Sequence, residues 1–292
     1  MFRFAFGVLF SLLWSSAFIA GKYMVLRLPP LDGLSLRFLL AGGLIFLISL
    51  IMERGSLVQW RSKTLWIHGL ILALFNYVLY LGWSYTGLQT VSPELVVLLV
   101  STMPFVTTFV VSLIARRWLW LQWVAILLGF IGVYLVLSTR MPQASFSIGV
   151  VWTVLGMLAL AAGTLFYQFK AHNHMVLPLT GVQNLLAGLI LLLVSTPSQW
   201  VSAMSEPVFA ISVWYQVIVV SIIAMLMWFY LVRWFGSANA SAFHLLNPIF
   251  AAVLAWWFFD VSLGLWDIVG TLMVIGALGL LHKSKTDQST TS

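Results

Sequence analysis

"LLAGGLIFLIS", Leu39–Ser49, and "LLAGLILLLVS", Leu185–Ser195, share six of eleven residues at a spacing of 146. One match between two apolar stretches is weak, so its neighbours decide. "WSSAFIAGK" ends in Lys22 and "AGTLFYQFK" in Lys170, 148 positions on; Pro104 and Pro248, and Gly132 and Gly276, are each 144 apart. Four markers in the same order at nearly one offset read as an internal duplication covering most of the chain.

Composition says what is duplicated. The chain has 292 residues, 62% hydrophobic and 7% charged, with a mean hydropathy of +1.06. Soluble domains carry roughly 25% charged residues. Apolar runs of membrane-spanning length recur from end to end, leaving no stretch for a water-soluble catalytic or nucleic-acid-binding domain. They do not alternate as the strands of a barrel would, so helices are the economical reading. With no cysteine, disulfides, thiol catalysis and thiolate metal sites are excluded.

Ten spans are expected, near 4–24, 33–52, 65–86, 92–115, 119–138, 148–169, 177–195, 210–233, 238–259 and 266–282. Five per half is odd, so the second half enters from the opposite face: an all-α integral membrane protein of two inverted five-helix repeats, 1–140 and 141–283, with a polar, disordered tail at 284–292. Because the first span has a counterpart in the sixth, it is expected to be retained rather than cleaved as a signal. With the N-terminus in the cytoplasm, that side carries Arg3, Arg54, Arg61, Lys63, Arg116, Arg117, Lys170, Arg233, Lys283 and Lys285, and the other Lys22, Arg27, Arg37 and Arg140. The bias puts both termini inside, so the net charge of +7 is largely a topology signal.

At this point the chain resembles the drug/metabolite transporter superfamily, and within it the EamA-like exporters. The resemblance rests on "LLWSSAFIAGK", "LSLRFLLAG", "LLNPIFAAVLAWWFFD" and "GTLMVIGALGLL". It implies export of amino acids, related metabolites or drug-like molecules across the inner membrane. Such proteins often carry an acid after spans 4 and 9. Asp260 keeps it in the second half, while Arg116 and Arg117 occupy the first.

The polar residues inside spans mark a candidate site. Pro104 and Pro248 fall near the middles of spans 4 and 9. Each removes the donor for the carbonyl four residues back, Val100 or His244, and paired interruptions point to a midplane site. His244, Asn247 and Ala251 share a helical face, as do Glu94, Ser101 and Thr108. Asn76, Tyr80 and Trp83 in span 3 repeat the spacing of Ser221, Met225 and Trp228 in span 8. Trp14 and Ser15 lie near the centre of span 1. His244 and Glu94 are the candidates to carry a coupled proton. Asp32, Asp267, Glu206 and Asp260 are expected in solvent. His172 and His174 are expected in a solvated loop, and Trp60, Trp66, Trp118, Trp120, Trp123 and Trp200 at the membrane interface.

These features imply a secondary transporter of small organic solutes working by alternating access, with hydrophobic or aromatic amino acids favoured as substrates. No cofactor, metal or nucleic acid is expected; the partners are a small-molecule substrate and the bilayer, with monomer and homodimer left open. There is no phosphate-binding "GxxxxGK[ST]" loop, so direct use of ATP is not expected. A translocator of lipids or lipid-linked metabolites is the alternative, disfavoured because no midplane cation is expected. A membrane-embedded enzyme would need a catalytic cluster that the spans lack.

Overall fold

The structure, a computed structural model, describes residues 2–52, 58–91, 93–138, 147–259 and 264–289. Among the described residues every regular element is a helix. We number them α1 (Phe2–Arg27), α2 (Pro30–Met52), α3 (Lys63–Gly87), α4 (Pro93–Val100 and Met103–Ala115), α5 (Trp120–Ser138) and α6 (Ile148–Ala171). There follow α7 (Val176–Leu192), α8 (Pro207–Phe235), α9 (Ser237–Ser241, Ala242–Leu246 and Asn247–Phe259) and α10 (Leu265–Ser289).

Among the described residues five helices, α1, α2, α3, α6 and α8, are long and apolar enough to cross a membrane. A sixth is added if α7 and the pair Pro197–Met204, bent from it by 106°, count as one span. Segments of α4, α5 and α10 are shorter apolar helices, and α9 is built of three pieces. The protein is thus a multi-pass membrane protein. Its polarity is arranged accordingly. Ile51, Leu193 and Trp257 point outward, whereas Ser11, Asn76, Gln183, Asn184, Gln216 and Asn247 are buried. In hydrocarbon a polar group is tolerated when it faces the bundle interior and finds a partner there.

The principal helix pairings recur when the halves are exchanged. α2 packs on α7 and α5 on α10; α3 packs on α6 as α8 packs on α1, and α3 on α7 as α8 on α2. Glycine makes the closest of these approaches. A Cβ at Gly42 would stand 2.6 Å from the Leu185 backbone nitrogen, and one at Gly188 2.8 Å from that of Leu39. Leu39 and Gly42 are the positions that the 146-residue repeat matches to Leu185 and Gly188, so the motif is the α2–α7 contact itself. In the α5–α10 pair a Cβ at Gly132 would stand 2.6 Å from the carbonyl oxygen of Gly270, while Gly276 faces open space.

Several expectations are corrected. Asp32 is buried, because its carboxylate accepts from the Thr196 N–H at 3.1 Å. Asp267 is buried as well, accepting from Gly264 N–H at 2.7 Å. Glu206 does lie in solvent, paired with Arg27 at 2.9 Å, and Asp260 lies outside the described residues. Trp60 is interior, against Phe46 and Gly181, whereas Trp118 and Trp120 are exposed. His174 is half-buried and bonded to His68 at 2.9 Å; His172 is exposed. Helix α10 continues to Ser289, since no Gly or Pro follows Gly279 to stop it. The boundary near residue 140 falls outside the described residues.

Candidate functional site

Two of the long helices change pitch at matching places. α3 runs as a π-helix over Leu74–Leu79 and α8 over Gln216–Ala224. A π stretch accommodates an extra residue and shifts the phase of everything beyond it, and such stretches are frequent at functional sites. Here they border one cavity. It is walled by Trp14 and Ala17 of α1, Arg37 of α2, Tyr77, Tyr80, Leu81 and Tyr85 of α3, and Val220 and Met225 of α8. Its volume is about 20 Å³, enough for a water and far too small for an organic solute. The conformation is therefore a tight one, and a substrate would require α1, α2, α3 and α8 to part.

The π stretches also separate Asn76 and Ser221 from the faces expected for them. Asn76 turns to α7, its amide 3.4 Å from Gln183 Oε1; Tyr80 reaches the cavity; Trp83 packs on Trp152 of α6. Ser221 meets Arg37, Met225 lines the cavity, and Trp228 turns to α9. Spacing of 0, 4, 7 keeps one face only on an uninterrupted α-helix.

Beside the cavity lies a buried cluster on α9. The His244 ring is enclosed by Trp228, Phe10 and Trp14, with ring centroids 4.9, 5.6 and 5.7 Å away. Its Nδ1 lies 2.9 Å from the Asn247 amide nitrogen, so Nδ1 accepts and a neutral ring carries its proton on Nε2. That Nε2, the Asn247 Oδ1 and the Trp228 Nε1 have no hydrogen-bond partner among the described residues. All three residues are about 1% exposed.

Pro248 explains the backbone here. It has no N–H to give to the His244 carbonyl, and the preceding segment Ala242–Leu246 tightens to a 3₁₀-helix, which lets the Asn247 N–H reach that carbonyl instead. Ser101, in the turn between the two pieces of α4, shares its one hydroxyl proton between the same carbonyl at 3.1 Å and Val97 O at 2.7 Å. From α1, Ser15 reaches the Asn247 carbonyl at 3.0 Å and Ser11 that of Phe243 at 2.8 Å. The His244 carbonyl that Pro248 leaves without its helical donor is thus met by protein donors. Pro104 sits in the first turn of the second piece of α4, after a turn at Ser101–Thr102. The Glu94 side chain lies outside the described residues.

The cavity therefore unites Trp14, Tyr80 and Met225. Ser15, Ser101, Trp228, His244 and Asn247 form the cluster behind Trp14, and Asn76 and Trp83 face elsewhere.

The residue missing from the expected site is Arg37. It is 2% exposed, its Nε donates to Ser221 Oγ at 2.7 Å, and its Cζ stands 5.3 Å from the Phe38 ring centroid. The expectation of a site without cations is corrected accordingly. "LSLRFLLAG" held the signal: Arg37 lies two turns inside an apolar helix, about 10 Å from its start, where a charge is expensive.

A family model for EamA-like transporters matches residues 2–138 and again residues 147–282. The chain belongs to the EamA-like transporter family. This EamA-like transporter is 26% identical over 259 residues to the uncharacterized inner membrane transporter YedA of Escherichia coli (strain K12), covering 85% of this chain and 81% of that one. It is 24% identical over 262 residues to the uncharacterized transporter sll0355 of Synechocystis sp. (strain ATCC 27184 / PCC 6803 / Kazusa), covering 82% and 77%. A solved crystal structure matches over 96% of both chains with a TM-score of 0.72 at 15% identity, a likeness of fold. The protein is a membrane transporter.

Proposed function

We propose that the chain is a secondary transporter, not an enzyme, that exports small organic solutes through the cavity between α1, α2, α3 and α8. Its ten helices form two inverted repeats, 1–140 and 141–283, in the inner membrane with both termini in the cytoplasm. Hydrophobic or aromatic amino acids and related metabolites are the favoured substrates. The halves rock about the cavity, so that it opens to one side at a time.

The observation that carries this reading is the cavity's position. It lies where two long helices from opposite halves, α3 and α8, both pass through π-helical stretches. Its walls are aromatic or apolar apart from Arg37, which suits a solute with a hydrophobic body. The recurrence of the principal helix pairings supports two related halves, and the double family match supports the same division. Coupling to protons would run through His244 or Glu94; without it the protein is a uniporter. A lipid translocator would present its cation to a lateral groove, whereas Arg37 is enclosed by helices.

Counterflow in liposomes holding only this protein tests the proposal. Vesicles preloaded with unlabelled phenylalanine, leucine or tryptophan should accumulate labelled phenylalanine transiently, and Met225→Trp, which fills the cavity, should abolish it. Exchange unaffected by Met225→Trp would move the pathway elsewhere, and no exchange with any amino acid would reject the substrate class. A pH gradient that alters exchange in the wild type, and no longer does so in His244→Ala, would establish proton coupling through that ring.

A further inference from the structure

Arg37 is a buried cation without an acid. Among the described residues the single ion pair is Arg27–Glu206, so no described carboxylate lies within 4.0 Å of the Arg37 guanidinium. After the bond from Nε to Ser221, the four remaining N–H donors of the fork have the Tyr85 hydroxyl beside them. The side chain borders the cavity, beside Tyr77, Tyr80 and Tyr85. A charge kept in such surroundings is costly until an anion meets it, and the planar fork matches the two oxygens of a carboxylate.

We infer that Arg37 is the anchor for the anionic group of the transported solute, and that the cavity takes carboxylates with an aromatic or branched hydrophobic body. This rests on the transport reading of the same cavity and narrows it. The carboxylate is the obligatory group, and the ammonium of an amino acid is dispensable. No described acidic side chain lines the cavity, so an ammonium would find aromatic rings and tyrosine hydroxyls there but no opposite charge, while Arg37 repels it. The His244 carbonyl, freed by Pro248, already accepts from Ser101 and from the Asn247 N–H.

The two halves differ at this point, which gives the site a direction. Counting 146 positions on from Arg37 leads to Gln183, and 145 on from Asn76 to Ser221. The α2–α8 contact Arg37–Ser221 thus has its counterpart in the α7–α3 contact Gln183–Asn76. One contact is charged and lines the cavity; the other is neutral and does not. A carboxylate therefore has a single end of the site at which to bind.

The test uses the full chain, as wild type, Arg37→Gln and Arg37→Lys, with three probes of one shape: L-phenylalanine, 3-phenylpropionate and 2-phenylethylamine at equal concentration and ionic strength. Thermal unfolding in detergent reads binding, and inhibition of labelled phenylalanine counterflow in liposomes reads transport. Both carboxylates should raise the wild-type midpoint and the amine should not. Arg37→Gln should lose both shifts, and Arg37→Lys should keep a smaller one. In liposomes 3-phenylpropionate should inhibit at concentrations at least about tenfold below the amine.

An amine as effective as the acid, no shift from either acid in the wild type, or acid-induced shifts retained in Arg37→Gln would overturn the anchor. Acid shifts that depend on Arg37, without exchange of any probe, would leave the anchor standing and reject the transport substrates. Exchange that persists in folded Arg37→Gln would do the reverse.

Discussion

Arg37 of α2 donates a 2.7 Å hydrogen bond from Nε to the hydroxyl of Ser221 on α8. The bond ties the two halves across the cavity wall. It leaves most of the guanidinium's charge unanswered by any described acid, which is a cost to the empty protein. Arg37→Gln keeps a donor for Ser221 and removes the charge. Its unfolding midpoint without solute should therefore rise by a few degrees, as thermal unfolding in detergent would show. A lower midpoint would mean that the charge is already compensated.

The α2–α7 crossing makes a sharper prediction about packing. Gly42→Ala forces a methyl group against the Leu185 backbone, 2.6 Å away, which can yield only if the helices part. It should cost about 1–3 kcal/mol. Gly43→Ala, one residue on, has nothing within 4 Å and should be neutral or slightly stabilising. Comparing the two unfolding midpoints separates close contact from helix propensity.

Ser101 links the interruptions of α4 and α9. Ser101→Ala removes a donor from the His244 carbonyl, which keeps the Asn247 N–H. The loss should be modest, about 0.5–1.5 kcal/mol. Asn247→Ala, which strips the partner from the His244 ring, should cost more, and the ranking is readable from midpoints of the two variants.

Near the α6–α7 turn, burial, then His68 and Arg233, hold the His174 pKa below its usual value. A lowered folded pKa means that the unfolded chain takes up the proton first as pH falls. The native state keeps its full advantage above the unfolded value of about 6.5 and loses it progressively below. Unfolding midpoints between pH 7.5 and 5.5 should thus fall more steeply for the wild type than for His174→Gln. Parallel slopes would contradict the assignment. The effect should be small, because His174 is only half-buried.

Much of the architecture was legible in sequence because it rests on local chemistry. A repeated "LLAG" marks the α2–α7 crossing because only glycine admits the facing backbone. Pro248 predicts a backbone disturbance at His244 because proline has no N–H. What could not be read was which faces meet. Asn76, Tyr80 and Trp83 look like one stripe, yet Asn76 lies inside the π stretch and turns to α7, Tyr80 meets the cavity and Trp83 meets α6. Arg37 was absorbed into a charge count, since topology rules weigh a basic residue by the nearest membrane surface and not by depth. The partner of His174, 106 residues earlier in the chain, leaves no local trace.

The central claim is that the cavity opens to each side of the membrane in turn. The chain has no cysteine, so Met225→Cys is a single reporter in the cavity wall. The decisive measurement is its labelling by a membrane-impermeant maleimide, applied separately to right-side-out and inside-out vesicles with and without solute. The account predicts labelling from both sides, slowed by a transported solute. Labelling from one side only, or from neither while an exposed control such as Leu193→Cys reacts, would contradict it.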